Sequence, residues 1–245
     1  MKPFLLVGTR ADDALADAEA EAFTRLAGLP ADGVHRVRLE QGPLPVLDLD
    51  AFSGVIVGGS PFNVSDPDEA KSAVQRRVEA DLFALLEDVL AREIPFFGAC
   101  YGIGLLGTAA GGTVDRRDGE SVGAIEVSVT DAGRADPLFG AMPARFTAYV
   151  GHKEACRELP PDAVLLATGT ACRVQAFRLG RNAYATQFHP ELDVDGLIER
   201  IRAYRHEGYF QPEETDALIE TARTGVPVTE VSRLLRRFVE LHGRR

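Results

Sequence analysis

Short runs of Val, Ile, Leu and Phe alternate with longer stretches of helical period through the first 110 residues, and few folds accommodate that alternation. It is the pattern of an α/β fold with a largely parallel sheet. Residues 3–7, 34–39, 54–57 and 94–98 predict strands, and the segments 11–27 and 68–91 between them predict helices. In the second helix the apolar positions 70, 74, 78, 82, 85, 86, 89 and 90 make one face. Its start is signalled by Asp66 as cap, Pro67 at the first helical position and Glu69 completing a capping box. After Gly111-Gly112 the texture changes to short β-like runs at 113–117, 123–130, 145–150, 163–168, 173–178 and 183–188, separated by Gly, Asp and Pro. Antiparallel strands added to the parallel sheet follow from that spacing.

The last fifty residues read as helices at 193–206, 213–223 and 228–242. In the final one Val228, Val231, Leu234, Leu235, Phe238 and Leu241 share a side, and Arg233, Arg236 and Arg237 form an opposite face expected to be solvated. The chain therefore divides into one domain over 1–192 and a helical extension over 193–245 packed on it. With 245 residues, 45% of them hydrophobic, it is long enough to bury a full core.

A formal charge of −10 works against unselective binding to nucleic acid or anionic lipid, so small molecules or proteins are the expected partners. The apolar stretch in MKPFLLVGTRADD is too short for a signal segment and no run is long enough for a membrane helix. A cytoplasmic protein is expected. Three cysteines, Cys100, Cys156 and Cys172, cannot all pair within the chain and form no CxxC. The five histidines are scattered without a ligand spacing such as HExxH, so neither metal nor cofactor is expected.

One thiol stands apart. In Gly98-Ala99-Cys100-Tyr101-Gly102 a cysteine sits between glycines where a buried strand turns into a helix, as a nucleophile on a sharp, strained bend requires. The helix start favours a thiolate and offers N–H groups, beginning with that of Tyr101, to a negative oxygen. The other reading is a core cysteine in a glycine-loosened strand end. A thiol nucleophile needs a base, and the base an orienting partner. His189 closes an apparent strand, and Glu191 follows two places on, where extended chain points both side chains the same way. His152, in Val150-Gly-His-Lys-Glu154, is the rival base.

Together these residues resemble the class I glutamine amidotransferases, the Cys-His-Glu group that includes the glutaminase domain of GMP synthase. The likeness runs in order through 53–61 (SGVIVGGSP), 95–102 (PFFGACYG), 105–114 (LLGTAAGGTV), 136–139 (DPLF), Gly151-His152 with Leu159-Pro160, and 187–191 (QFHPE). It implies a flavodoxin-like core and hydrolysis of a γ-carboxamide through a thioester on Cys100, with His189 relaying the proton and Glu191 steadying the imidazolium. Backbone N–H groups of Tyr101 and of the Gly59-Ser60-Pro61 turn would hold the oxyanion, with Ser60 where the family usually has glycine. Two polar side chains of the family pattern are replaced: Gly104 stands for a glutamine that holds the substrate's amino-acid end, and Gly151 for the serine before His152. Substrate contacts are therefore expected near Gly59, Gly104, Gly151 and His152, without fixing whether the substrate is free glutamine or a γ-glutamyl compound. The resemblance leaves three roles open. The chain could pass ammonia to a separate synthetase, act alone as a γ-glutamyl hydrolase or peptidase, or be a non-catalytic relative.

Overall fold

In the computed structural model, which describes residues 1–243, the elements follow in the order β1 (Phe4–Gly8), α1 (Asp13–Leu26), β2 (Val34–Arg38), β3 (Val55–Val57), α2 (Ala73–Ala91), β4 (Phe96–Ala99) and α3 (Tyr101–Ala109). The second half continues with β5 (Thr113–Asp115), β6 (Glu120–Val129), α4 (Asp131–Arg134), β7 (Arg145–His152), β8 (Ala155–Glu158), β9 (Val164–Thr168), β10 (Ala176–Leu179) and β11 (Ala183–Thr186). Three helices, α5 (Val194–Ala203), α6 (Thr215–Thr224) and α7 (Arg233–His242), close the described chain. Nine strands form one sheet in the order β2-β1-β3-β4-β11-β10-β9-β6-β7. From β2 to β11 all pairings are parallel, and from β11 to β7 all are antiparallel. The sheet is thus the parallel one with antiparallel strands added that the sequence predicts. No helix among the described residues is long and apolar enough to cross a membrane.

Strand alternation divides the core into two layers. Phe4, Leu6, Phe97 and Ala99 face α1 and α7, whereas Leu5, Val7, Val55, Val57 and Phe96 face α2 and α3. Helix α7 belongs to the first layer: Phe238 is fully buried, with its ring 5.4 Å from Phe97 and 5.8 Å from Phe4. The C-terminal segment therefore covers one face of the parallel sheet. Its arginines are not simply solvated, because Arg236 Nε donates to the Leu26 carbonyl at the end of α1 and Arg237 Nε to the Pro137 carbonyl.

Three local predictions need correction. Helix α2 begins after Ser72, whose Oγ accepts from Gln75 N at 3.0 Å, and the Pro67 segment forms a turn instead, Ala70 N donating to the Pro67 carbonyl. Asp66 caps nothing because its carboxylate is drawn to Arg116 and to the Gln75 side chain. Strand β8, too short and too charged to read from sequence, pairs with β5 in a separate two-stranded sheet. The last helix starts at Arg233 rather than at 228, leaving Val228 on its approach.

Candidate functional site

Parallel strands carry the site. β3, β4 and β11 lie side by side, with Val57 opposite Gly98, and Ala185 and Thr186 opposite Gly98 and Ala99. The chain leaving each of their C-terminal ends emerges at one edge, the usual binding edge of an open α/β sheet. Ser60, Cys100 and His189 emerge there and line one cavity of about 40 Å³.

Cys100 holds the bend itself, with φ 53° and ψ −89°, in a region that side chains other than glycine rarely adopt. Its N–H donates to the Thr186 carbonyl at 2.8 Å, tying the bend to β11. Gly98 is required because a Cβ there would stand 2.8 Å from the backbone carbon of Gly102. The G-x-C-x-G spacing is thus the footprint of a turn that brings strand end and first helical turn into contact. The thiol is half-buried. Burial pushes it up to about 12, Glu191 adds to the rise, and Arg10 and Arg200 oppose it. Burial thus works against the thiolate that the helix start favours.

His189 and Glu191 meet, but through a turn rather than along the predicted strand: β11 ends at Thr186, and Leu192 N donates to the His189 carbonyl at 3.4 Å. Nδ1 of the ring lies 2.7 Å from Oε1 of Glu191, which is fully buried. Burial alone would raise the Glu191 carboxyl, but His189 and Arg200 together pull it down to about 2. His189 moves the same way: burial lowers it below the ordinary imidazole value, Glu191 pulls it up and Arg200 pushes it further down. A neutral ring held at Nδ1 by a carboxylate leaves its Nε2 as the acceptor. The rival, His152, is committed at both nitrogens, Nδ1 to the Glu154 carbonyl at 2.8 Å and Nε2 to Glu120 Oε2 at 3.0 Å. It has no ring nitrogen left for a thiol.

Around this pair stands a charged layer that the sequence patterns leave hidden. Arg200 on α5 donates to Glu191 Oε1 at 3.0 Å and to Glu19 Oε1 at 3.2 Å, and its Nη1 lies 2.9 Å from His189 Nδ1, competing with Glu191 for that nitrogen. Arg10, just after β1, binds Glu19 at 2.9 Å and the Tyr204 hydroxyl. One signal was legible: Glu19 sits on the buried face of α1 with Leu15, Ala16 and Phe23, and a carboxylate on an apolar face needs a cationic partner. The glycines of 58–59 make room for this layer, since a Cβ at Gly58 would meet Glu19 at 2.8 Å and one at Gly59 would meet both Arg10 and His189 at 2.8 Å.

The remaining predicted residues surround Cys100. Tyr101 opens α3, whose first N–H groups have no partner within the helix. Ser60 lines the cavity, its Oγ accepting from Phe62 N at 3.0 Å. Gly151 lines the same cavity, where a side chain would meet Val122 at 2.9 Å. Gly104 does not reach the space by Cys100; a Cβ there would stand 2.9 Å from Oε1 of Glu154. Glu154 therefore fills the space a larger residue at 104 would need, and its two oxygens accept from Val64 N at 2.8 Å and Ser65 N at 2.7 Å. A second, smaller cavity of about 10 Å³ opens on the other side of Cys100, lined by Ser60, Tyr101, His152, Glu154 and Gln187.

Tyr209 borders both cavities. It stacks on Tyr204, with ring centroids 5.8 Å apart, and Lys153 Nζ lies 4.4 Å over its ring while donating to the Glu207 carbonyl at 2.6 Å. With Phe210, Leu197 and Ile201 it roofs the His189 side in mostly apolar groups. That roof comes entirely from the C-terminal extension, which nothing in the sequence assigned to the site.

A sequence model described as glutamine amidotransferase class-I matches residues 34–195. A glutamine-hydrolyzing GMP synthase subunit from Methanothermobacter thermautotrophicus is 33% identical over 108 residues, 44% of this chain and 56% of that protein. Its counterpart in Thermoplasma acidophilum is 26% identical over 147 residues, 60% of this chain and 66% of that one. The chain thus spans between about half and two thirds of the length of these curated relatives. Among solved structures, a glutamine amidotransferase from Thermotoga maritima aligns with TM-score 0.76 at 23% identity, covering 99% of this chain and 98% of that one. One from Methylobacillus flagellatus aligns with TM-score 0.72 at 19% identity, covering 100% and 97%. Both show the same fold.

Proposed function

The chain belongs to the class-I glutamine amidotransferase family, and from that premise we propose that it hydrolyses a γ-carboxamide through a thioester on Cys100 and releases ammonia or an amine. One observation carries this reading: a thiol on a strained bend shares a cavity with an imidazole whose Nδ1 is held by a buried carboxylate. His189 Nε2 takes the Cys100 proton as sulfur attacks the carbonyl carbon. The oxyanion that forms is held by the Tyr101 N–H and by an N–H of the Gly59-Ser60-Pro61 turn. Collapse of the adduct breaks the C–N bond, and the proton on His189 passes to the leaving nitrogen. Water then attacks the thioester with His189 again as base, which frees the γ-carboxylate and restores the thiol. Burial raises the thiol, which favours attack coupled to proton transfer to His189 over a preformed thiolate.

The linings of the two cavities support one arrangement of the substrate's two ends. The smaller presents two polar groups: Gln187 Oε1 is buried with no partner among the described residues, and Glu154 supplies a carboxylate. It suits the ammonium of a glutamyl group. The larger lies beside His189, where the leaving nitrogen is protonated, and its roof is the chain's own Tyr204, Tyr209 and Phe210. That covering favours release of a small amine within one polypeptide, as in a γ-glutamyl hydrolase. The GMP synthase components among the relatives favour delivery of ammonia to a synthetase.

The test is ammonia release from glutamine and amine release from γ-glutamyl amides by the purified chain, with the acyl group on Cys100 trapped by mass spectrometry. Turnover of γ-glutamyl amides alone supports the hydrolase reading. Turnover of glutamine that rises only when a synthetase is added supports the ammonia-delivery reading. A Cys100 that acylates with no such substrate, with or without a synthetase, excludes both and leaves a non-catalytic relative.

A further inference from the structure

On the far side of His152 from the catalytic cavities, the fold assembles a second cluster from residues the sequence keeps apart. Glu120 opens β6 and His152 closes β7, paired directly across the two strands, and the register slips between Glu120 and Gly123. Such a bulge re-aims the side chain at a strand end. Cys172 comes from the segment between β9 and β10. One donor atom each from Glu120, His152 and Cys172 lies within 4.8 Å of the others, and His152 and Cys172 are buried.

The hydrogen bonds define what this cluster lacks. The Glu154 carbonyl can only accept, so His152 Nδ1 carries a proton, and in the neutral ring Nε2 is a bare lone pair. That lone pair faces a carboxylate oxygen 3.0 Å away. A cation must stand between these two acceptors, either a proton on Nε2 or a metal ion. A histidine whose other nitrogen donates to a backbone carbonyl is the usual arrangement of a metal ligand. Gln175 supplies an independent sign. Its Nε2 donates to Glu120 Oε2 at 2.6 Å, as a group orienting a ligating carboxylate does, while its Oε1 is buried with no partner among the described residues. That oxygen shares a carbon with Nε2 and so lies beside the cluster, an acceptor awaiting a donor.

We propose that Glu120, His152 Nε2 and Cys172 bind a borderline-soft divalent cation, Zn²⁺ being the reference case, with a water in the fourth position donating to Gln175 Oε1. Carboxylate, imidazole and thiolate together suit zinc rather than magnesium or calcium. A tetrahedral zinc site needs its N, O and S donors about 3.3–3.6 Å apart, so the imidazole and carboxylate stand near that spacing and the thiol has to turn inward. On binding, Cys172 loses its proton to solvent and sulfur takes the coordinate bond. The ion would pin the segment holding Gln175, whose own carbonyl accepts from Gln187 N at 2.8 Å, two residues before His189. This proposal does not depend on the hydrolytic reading of Cys100.

Cobalt tests it in the full chain stripped of metal by a chelator, because a thiolate ligand gives Co²⁺ a near-ultraviolet charge-transfer band. One equivalent per chain is expected, with the band lost in Cys172→Ala, kept in Cys100→Ala and Cys156→Ala, and the melting temperature raised by Zn²⁺ in the wild type. Gln175→Ala, which removes the Nε2 bond to Glu120 Oε2 and the acceptor Oε1 but none of the three proposed ligands, should bind about 10-fold more weakly and serves if Cys172→Ala fails to fold. A wild type that binds no ion in excess Co²⁺ overturns the proposal and leaves a protonated His152 paired with Glu120. So does a band that survives Cys172→Ala, vanishes with Cys100→Ala, or stays as tight in Gln175→Ala.

Discussion

His189 and His152 each lie against a carboxylate, and the sequence offers both as a base. The difference lies in which nitrogen the carboxylate takes. Glu191 holds His189 at Nδ1, so Nε2 remains the acceptor in a ring whose cavity contains Cys100. Glu120 meets His152 at Nε2 while a backbone carbonyl occupies Nδ1, so that ring is fully committed. The same pair of residue types thus leaves a ring nitrogen uncommitted in one place and none in the other. Proximity of histidine and carboxylate does not identify a base, whereas an accounting of ring nitrogens does.

The largest effect expected from breaking this contrast is at the thiol. Cys100→Ala and His189→Asn should each lower turnover by about 10⁴-fold or more, measured as ammonia or amine release under saturating substrate. A smaller effect separates the two carboxylates. Glu191→Gln loses the charge that orients His189 and should lower kcat by about 10²–10⁴-fold, whereas Glu120→Gln should leave kcat/KM within about tenfold. Equal losses in both variants would erase the distinction between the two histidines.

Gly104→Gln probes the second cavity, where Glu154 links the regions: its carbonyl holds His152, and its side chain fills the space beside position 104. Crowding that carboxylate should cost about 1–3 kcal/mol in denaturant unfolding. A neutral result would mean that Glu154 moves aside without loss. The smallest effect is a shift in pH dependence. His189 accepts a proton only when neutral, and its value lies below 6.5, so the acid limb of kcat/KM should fall below that pH. Arg200 is one of the groups that lower it, so Arg200→Gln should move this limb to higher pH. A limb that stays in place or moves down would remove Arg200 from the relay.

Legibility followed the range of the cause. The bend at Cys100 could be read from five consecutive residues because its requirement is local: a Cβ at Gly98 would strike the backbone of Gly102. The His189–Glu191 pairing was readable from two nearby positions, but a turn sets it rather than extended chain, since β11 ends at Thr186 and Leu192 N donates to the His189 carbonyl at 3.4 Å. The start of α2 misled because Asp66, Pro67 and Glu69 suit a cap locally, while Arg116 and Gln75 claim the Asp66 carboxylate from elsewhere. Arg10, Glu19 and Arg200 were harder still. Only Glu19, a charge on the buried face of α1, left a trace.

By itself, then, the chain of residues determined the alternation that makes a parallel sheet, the strained bend at 100 and the pairing of 189 with 191, because each depends on neighbours a few positions apart. Tertiary structure alone decided that Tyr204, Tyr209 and Phe210 roof the His189 side, that Glu154 displaces any side chain at 104, and that Glu120, His152 and Cys172 converge. Those outcomes depend on how distant segments come together as the sheet and the C-terminal helices pack, and no local pattern encodes where such segments meet.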